Sequence, residues 1–459
     1  MVAYPELAAI RLGHGLSSQM PPPSGPDEIL ASVQAAGPDG ETISLNQIRK
    51  MRSRLAKLKR NQKKGGKDDK GASEAVKKER RRANQRAQKE ALRRIARAVD
   101  DPFGFGERLV QFWADHFTIA GNNTDRRLMA AAYVNEAIRP HISGKFADML
   151  FAAETHPGML VYLNQDRSVG PNSRLARRKK DERTLGLNEN LAREMIELHS
   201  LGVGADYTQE DVRQLAKLLT GLVYTPRRDK RFQPNRAEPG AETVLGQSYG
   251  GDGPAKLRDI RAVIGDLARH PATAQHLARK LVTHFISDEP PQPMVDRLAA
   301  VYTDSDGDLS AVNAALVEAP ELETHFRSKV RQPFDFIVTS LRGLGITGEQ
   351  VMALKPGQAY RWLIQPMTSM GQKWGQPDGP NGWPEAAENW ATPQGLAARI
   401  DWAMRIPPKL RPDLPDPRQL LQAALGDTAS EALQWAVPKA ESTQEGIAIV
   451  LASADFNRR

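Results

Sequence analysis

Apolar residues recur along this chain at helical spacing, and residues 187–202 show it most clearly. On a helical wheel, Leu187, Leu191, Ala192, Met195, Ile196, Leu198 and Leu201 fill one broad apolar arc. Gly202 follows where a left-handed C-terminal cap belongs. Arg193 and Glu197 face the other way. Three polar groups break the pattern: Glu194 between Leu187 and Leu201, and Asn188 and His199 near Met195. Polar groups in an apolar arc need partners, so the stretch predicts a polar network carried into the interior. That network either fixes helix packing or forms an active-site wall with Glu194 tuned as an acid or base. The sequence leaves both open.

The same periodicity predicts helices at 105–119, 127–137 and 144–153, and from Val212 to Gly221. It returns at 259–286, 293–302, 309–317, 320–344, 396–404, 420–425 and 446–456. Thr208, with Asp211 three residues on, resembles a capping box and starts the Val212 helix. Residues 222–253 are richer in Gly, Pro and β-formers, and predict a short hairpin or an irregular loop. No fixed-period repeat is present. The expected fold is all-α, a predominantly helical single large domain. Three parts are expected: an N-terminal segment over 1–47, a basic helical hairpin insertion over 48–100, and a helical core over 101–459.

Charge sharpens this division. Residues 49–97 hold 21 Lys/Arg and 5 Asp/Glu, a local +16 within a net charge of +9, which leaves the rest at −7. Two sparse helices are expected there, 48–64 and 73–99, around a Gly-rich break at 65–71, with an apolar stripe too thin for deep burial. The run suits an anionic polymer or surface. Nucleic acid fits it poorly, because no aromatic residue lies between Tyr4 and Phe103 to stack on bases. A second basic cluster, 177–180, falls in a predicted loop.

Absences narrow the chemistry. No cysteine is present, which excludes disulfides, thiolate metal sites and a Cys nucleophile. No apolar run approaches a membrane span. The first residues lack a basic stretch and apolar core of a secretory signal. Cytoplasmic residence is therefore expected, with partner-dependent export to the periplasm as the alternative. Neither a phosphate-binding loop nor a nucleophile elbow appears. Glu194 and His199, five apart, would not chelate one ion from a regular helix, so no metal and no cofactor is expected. A paired-carboxylate hydrolase survives, with one carboxyl as acid and the other as base or nucleophile. Glu194 is the candidate acid and Asp115 or Glu189 its partner, with His116 and His199 beside them. Trp113 and Trp383 offer sugar-stacking faces, and Asn188, Asn190 and Arg193 offer polar contacts. Packing alone would also explain Trp113 and His116, which share an aromatic cluster with Phe117.

Several phrases together resemble one family. They include Arg108-Leu-Val-Gln-Phe-Trp-Ala-Asp-His-Phe-Thr, His156-Pro-Gly-Met-Leu-Val-Tyr-Leu and the stretch from Leu187 to Val203. Further on come Tyr207-Thr-Gln-Glu-Asp-Val, Leu219-Thr-Gly, His270-Pro-Ala-Thr-Ala, Lys280-Leu-Val-Thr-His-Phe and Asn381-Gly-Trp-Pro. This is similar to the bacterial family catalogued as domain of unknown function 1800, over about Phe105 to Trp402. The resemblance implies no settled activity. It implies an envelope setting and an alkaline-phosphatase-like partner, whose genes often neighbour the family's. Two departures stand out: Asp115 where the family more often has Asn, and Ala237-Glu238 where a His-acid pair is common. Two functions follow as expectations: a hydrolase of a cell-envelope polymer, most simply a glycan, or a non-catalytic envelope or export partner.

Overall fold

Helix Lys70–Asp100 shows how the sequence builds the molecule. Its first half is Lys- and Arg-rich and mostly solvated. From Ala87 onward, Ala91, Leu92, Ile95, Ala96, Ala98 and Val99 are buried. Helix Leu45–Lys64 packs along it, with Leu45 and Ile48 inserted near Leu128, Met129 and Ala132. The basic segment is thus a helical pair, but only its distal part is surface. The apolar stripe thought too thin for burial widens after Arg86 and becomes a core element.

The computed structural model describes residues 2–64, 70–178, 186–225 and 232–459. Of the Gly-rich break expected at 65–71, residues 65–69 lie outside the described residues, as do Lys179 and Lys180 of the second basic cluster, whereas Lys70 and Gly71 already belong to the long helix. The chain is all-α, as the periodicity predicts, and the one sheet among the described residues is a hairpin inside 222–253. Strands Glu242–Val244 and Gln247–Tyr249 pair antiparallel, with Thr243 opposite Ser248. Thr208 and Asp211 form the reciprocal capping box at helix Gln209–Leu218. No helix among the described residues is long and apolar enough to cross a membrane.

Two large apolar cores dominate the described residues. The first gathers helices between Leu7 and Leu322 and includes Phe105, Phe112, Trp113, Phe117 and Phe146. The second gathers Phe334–Phe456 and takes in Leu92–Val99 from the long basic helix. A buried charged knot joins them. Arg108, on the helix Phe105–His116, donates to Asp335 Oδ2 at 2.8 Å and to the Gly13 carbonyl at 2.7 Å. His14 Nδ1 lies 3.2 Å from Asp335 Oδ1, and Arg459 Nε 3.7 Å from Oδ2. Arg11 donates to the main-chain oxygens of Arg459 and Ile286 at 2.7 and 2.6 Å. Burial pushes Arg11 and Arg459, and Arg331 beside Asp335, down to about 9.

Candidate functional site

A cavity of about 380 Å³ opens where the two cores meet, within the size range of small-ligand sites. Its walls come from the long basic helix, the helix Phe105–His116, and the stretches 332–334, 359–377 and 383–385. Two short π-helical turns, Val134–Ile138 and Tyr360–Ile364, both contribute to it. Such turns sacrifice regular hydrogen bonding and collect at functional sites.

Asp115 sits in the last turn of the helix Phe105–His116, in the cavity wall. The Trp383 main-chain N–H donates to both its carboxyl oxygens, at 3.0 Å each. Burial pushes the Asp115 carboxyl up to about 7, against that hydrogen bond and the Lys280 and Arg94 cations; Glu385 pushes the same way as burial. The carbonyl end of a helix also disfavours a negative charge.

The loop that bonds Asp115 depends on one glycine. Gly382 has φ +78°, and a Cβ there would stand 2.6 Å from Asp115 Oδ2 and 2.7 Å from the Asp115 carbonyl oxygen. Only a residue without a side chain allows that approach. Gly382→Ala is expected to lower stability by about 1–3 kcal/mol and to displace Trp383, read as changed tryptophan fluorescence. Unchanged stability and fluorescence would refute this account of the loop.

Beside Asp115 lies a histidine–carboxylate pair that the sequence reading missed. His284, in the last turn of the helix Pro271–Phe285, donates through Nδ1 to Glu385 Oε1 at 2.6 Å. Glu385 Oε2 lies 3.3 Å from Lys329 Nζ, which also donates to the Glu385 carbonyl at 3.1 Å. Both His284 and Glu385 line the cavity, and His284 Nε2 is buried with no partner in the protein. Burial pushes the imidazole down to about 4 against the Glu385 carboxylate. Burial raises Glu385, but His284, Lys329 and Arg459 outweigh it and hold the carboxyl below its usual range. One signal for the pair was in the sequence: both residues fall in or directly after family-like phrases, Lys280–Phe285 and Asn381–Pro384.

The other expected site residues form two groups elsewhere. His116 and His199 come together, with ring centroids 5.8 Å apart, and His116 Nε2 donates to the His199 carbonyl at 3.2 Å. His199 Nδ1 donates to Glu154 Oε1 at 2.5 Å, so the carboxylate of this network is Glu154, two residues before the His156-Pro-Gly phrase. Trp113 packs in the first core against Phe112 and Phe146. Burial and the neighbouring Lys280, His199 and His276 hold His116 well below the ordinary imidazole range.

The second group surrounds the helix Asn190–Glu197, which is shorter than the expected 187–202. Asn188 Oδ1 accepts from Asn190 N, and its Nδ2 donates to the Leu163 and Asn164 carbonyls, stitching a turn to the helix start. Glu189 accepts from Gln209, and Arg193 pairs with Glu197 and Gln209 near the surface. Glu194 is half-buried and makes no side-chain hydrogen bond or ion pair among the described residues. Burial raises its carboxyl, the His199 ring opposing. None of these five residues lines the cavity, whereas Asp115 and Trp383 do. Among the described residues no group of three His, Asp or Glu is arranged to hold a metal ion.

Comparison with known proteins adds a family and nothing finer. No curated protein and no solved structure matches the chain. One family model matches residues 7–458, a wider span than the phrases between Phe105 and Trp402. The chain belongs to that family, described as protein of unknown function (DUF1800).

Proposed function

We propose that this protein is a hydrolase of a cell-envelope polymer, a glycan, and that the cavity at the core junction is its active site. The observation that carries the reading is the convergence of Asp115, His284 and Glu385 on one cavity, with their proton affinities pushed apart. Glu385 holds the Nδ1 proton of His284, which leaves Nε2 bare. In the step we propose, that nitrogen takes a proton from water while the water oxygen bonds to the scissile carbon. Asp115, protonated, gives its proton to the departing oxygen as the carbon–oxygen bond breaks. Trp383 and Phe112 line the same cavity and offer faces for sugar rings. The acid role expected of Glu194 thereby passes to Asp115.

The test is a screen of the purified protein against envelope glycans, with Asp115→Asn and Glu194→Gln alongside. Hydrolysis lost in the first variant and kept in the second is the expected result. Hydrolysis lost only in the second would return the site to Glu194.

A second reading, a non-catalytic envelope or export partner, is favoured by the solvated basic face of helices Leu45–Lys64 and Lys70–Asp100. In this reading the basic face would seat an acidic alkaline-phosphatase-like partner. Binding of such a partner should weaken sharply between low and physiological salt. Salt-independent binding would exclude electrostatic docking through these helices.

A further inference from the structure

The cavity is lopsided in charge. Arg93, Arg94, Arg97, Arg127, Arg139 and Lys373 line it, against three acidic residues, Glu90, Asp115 and Glu385. Several of these cations are matched. Arg93 pairs with Glu41 and Glu90, Arg97 with Asp39 and Glu107, and Arg139 with Glu107. Arg94 differs from its neighbours. Among the described residues it makes no hydrogen bond and no ion pair, although its guanidinium lies 5.9 Å from the centre of the Trp374 ring. Arg93, Arg94 and Arg97 all line the cavity, and Arg94 lies one turn before Arg97, but the carboxylates of Glu41, Glu90, Asp39 and Glu107 are taken up by Arg93, Arg97 and Arg139. Glu107 is near enough to attract Arg94 but is paired with Arg97 and Arg139, and the Asp115 carboxyl does not neutralise it while that group holds its proton, below about 7.

We propose that Arg94 is the anion-binding residue of the cavity, and that the substrate is an acidic saccharide whose carboxylate the Arg94 guanidinium receives. The inference rests on the hydrolase reading of the same cavity and names its substrate class. A guanidinium offers two parallel N–H groups that match a carboxylate. Trp374, stacked on Phe334 and lying under the guanidinium, limits its motion. Gln111 Oε1 and Tyr133 Oη, both on lining residues, are buried with no partner in the protein and are available to hydroxyl groups.

Isothermal titration of the full chain with glucuronate, glucose and inorganic phosphate tests this without relying on turnover. Glucuronate should bind, more weakly at high salt, and glucose and phosphate should bind less tightly. Arg94→Gln should weaken glucuronate by about tenfold or more, with an unchanged circular dichroism spectrum. Arg94→Lys, which keeps the charge and loses the fork, should fall between the two and stands in if the first variant does not fold. Equal glucuronate affinity in wild type and both variants would overturn the proposal. So would tighter binding of phosphate, or no binding of glucuronate. The hydrolase reading fails separately: if Arg94-dependent binding is seen but no glycan is cleaved, the anion site stands and the catalytic assignment falls.

Discussion

Replacing Asp335 by alanine is expected to cost about 3–5 kcal/mol, the range for removing one partner of a buried ion pair. The residue is fully enclosed, on a helix, Pro333–Gly343, that is buried along its whole length. It is the carboxylate against which Arg108, His14 and Arg459 are packed. Removing it leaves the buried Arg108 guanidinium held only by neutral partners in a low-dielectric interior, and that uncompensated charge dominates the loss. The knot also spans both cores, so the damage should not stay local. Net stabilities of folded proteins run to only about 5–15 kcal/mol, so the variant should unfold at clearly lower urea and temperature. Asp335→Asn keeps the shape and loses the charge, and should lie close to the alanine variant. A loss under about 1 kcal/mol would show that the knot contributes little. The sign with pH follows from the direction of the shift. Burial raises this carboxyl, but Arg108, His14 and Arg459 outweigh it and hold it well below its ordinary value of 3.8. Its contribution is therefore present above that ordinary value and fades as pH falls through the lower folded-state value. Acid unfolding of the wild type should be steeper than that of Asp335→Asn.

Local physics made much of the fold readable. The capping box at Thr208 and the left-handed Gly202, with φ +95°, follow from short-range geometry, and both are present. The hairpin fell inside the stretch whose composition departs from helical. Where the reading failed, it extended a local rule too far. The apolar arc of 187–202 assumes one regular helix, yet the helix spans only Asn190–Glu197. The Asn188 side chain starts it by accepting from Asn190 N. Beyond Glu197 the main chain leaves the regular ladder, with the His199 N–H bonded to the Glu194 carbonyl and the Gly202 N–H to the Ile196 carbonyl. Wheel positions at Leu187 and Leu201 therefore do not flank Glu194, and its place inside the arc dissolves. The candidate site failed to emerge for a different reason. His199 meets Glu154 across 45 residues and His284 meets Glu385 across 101. No periodicity encodes such pairings, because the residues meet only once the two cores have closed on each other. What the sequence did carry was Asp115 and Trp383, each inside a phrase that stood out on its own.

Activity, if the cavity is the active site, should follow a bell in pH with its limbs near 4 and near 7. The acid limb belongs to His284, which must be neutral to take a proton and which burial pushes down to about 4. The alkaline limb belongs to Asp115, which must hold a proton to give one and which burial pushes up to about 7. These limbs should appear in kcat/KM, which reports the free protein. Asp115→Asn should lower the rate by about 100- to 10,000-fold, the usual worth of a positioned acid, and should erase the alkaline limb from what remains. His284→Gln should erase the acid limb. Stability moves oppositely for the two groups, which separates catalysis from folding. Asp115 binds its proton more tightly folded than unfolded. Its stabilising contribution is thus full below 3.8 and is lost as pH rises toward 7. His284 binds its proton less tightly folded, so its contribution is full above 6.5 and is lost as pH falls toward 4. Above pH 7, Asp115→Asn should therefore be at least as stable as wild type while being catalytically impaired. A variant that is both inactive and strongly destabilised at that pH would mark Asp115 as a strut for the Trp383 loop, and the acid would have to be sought elsewhere.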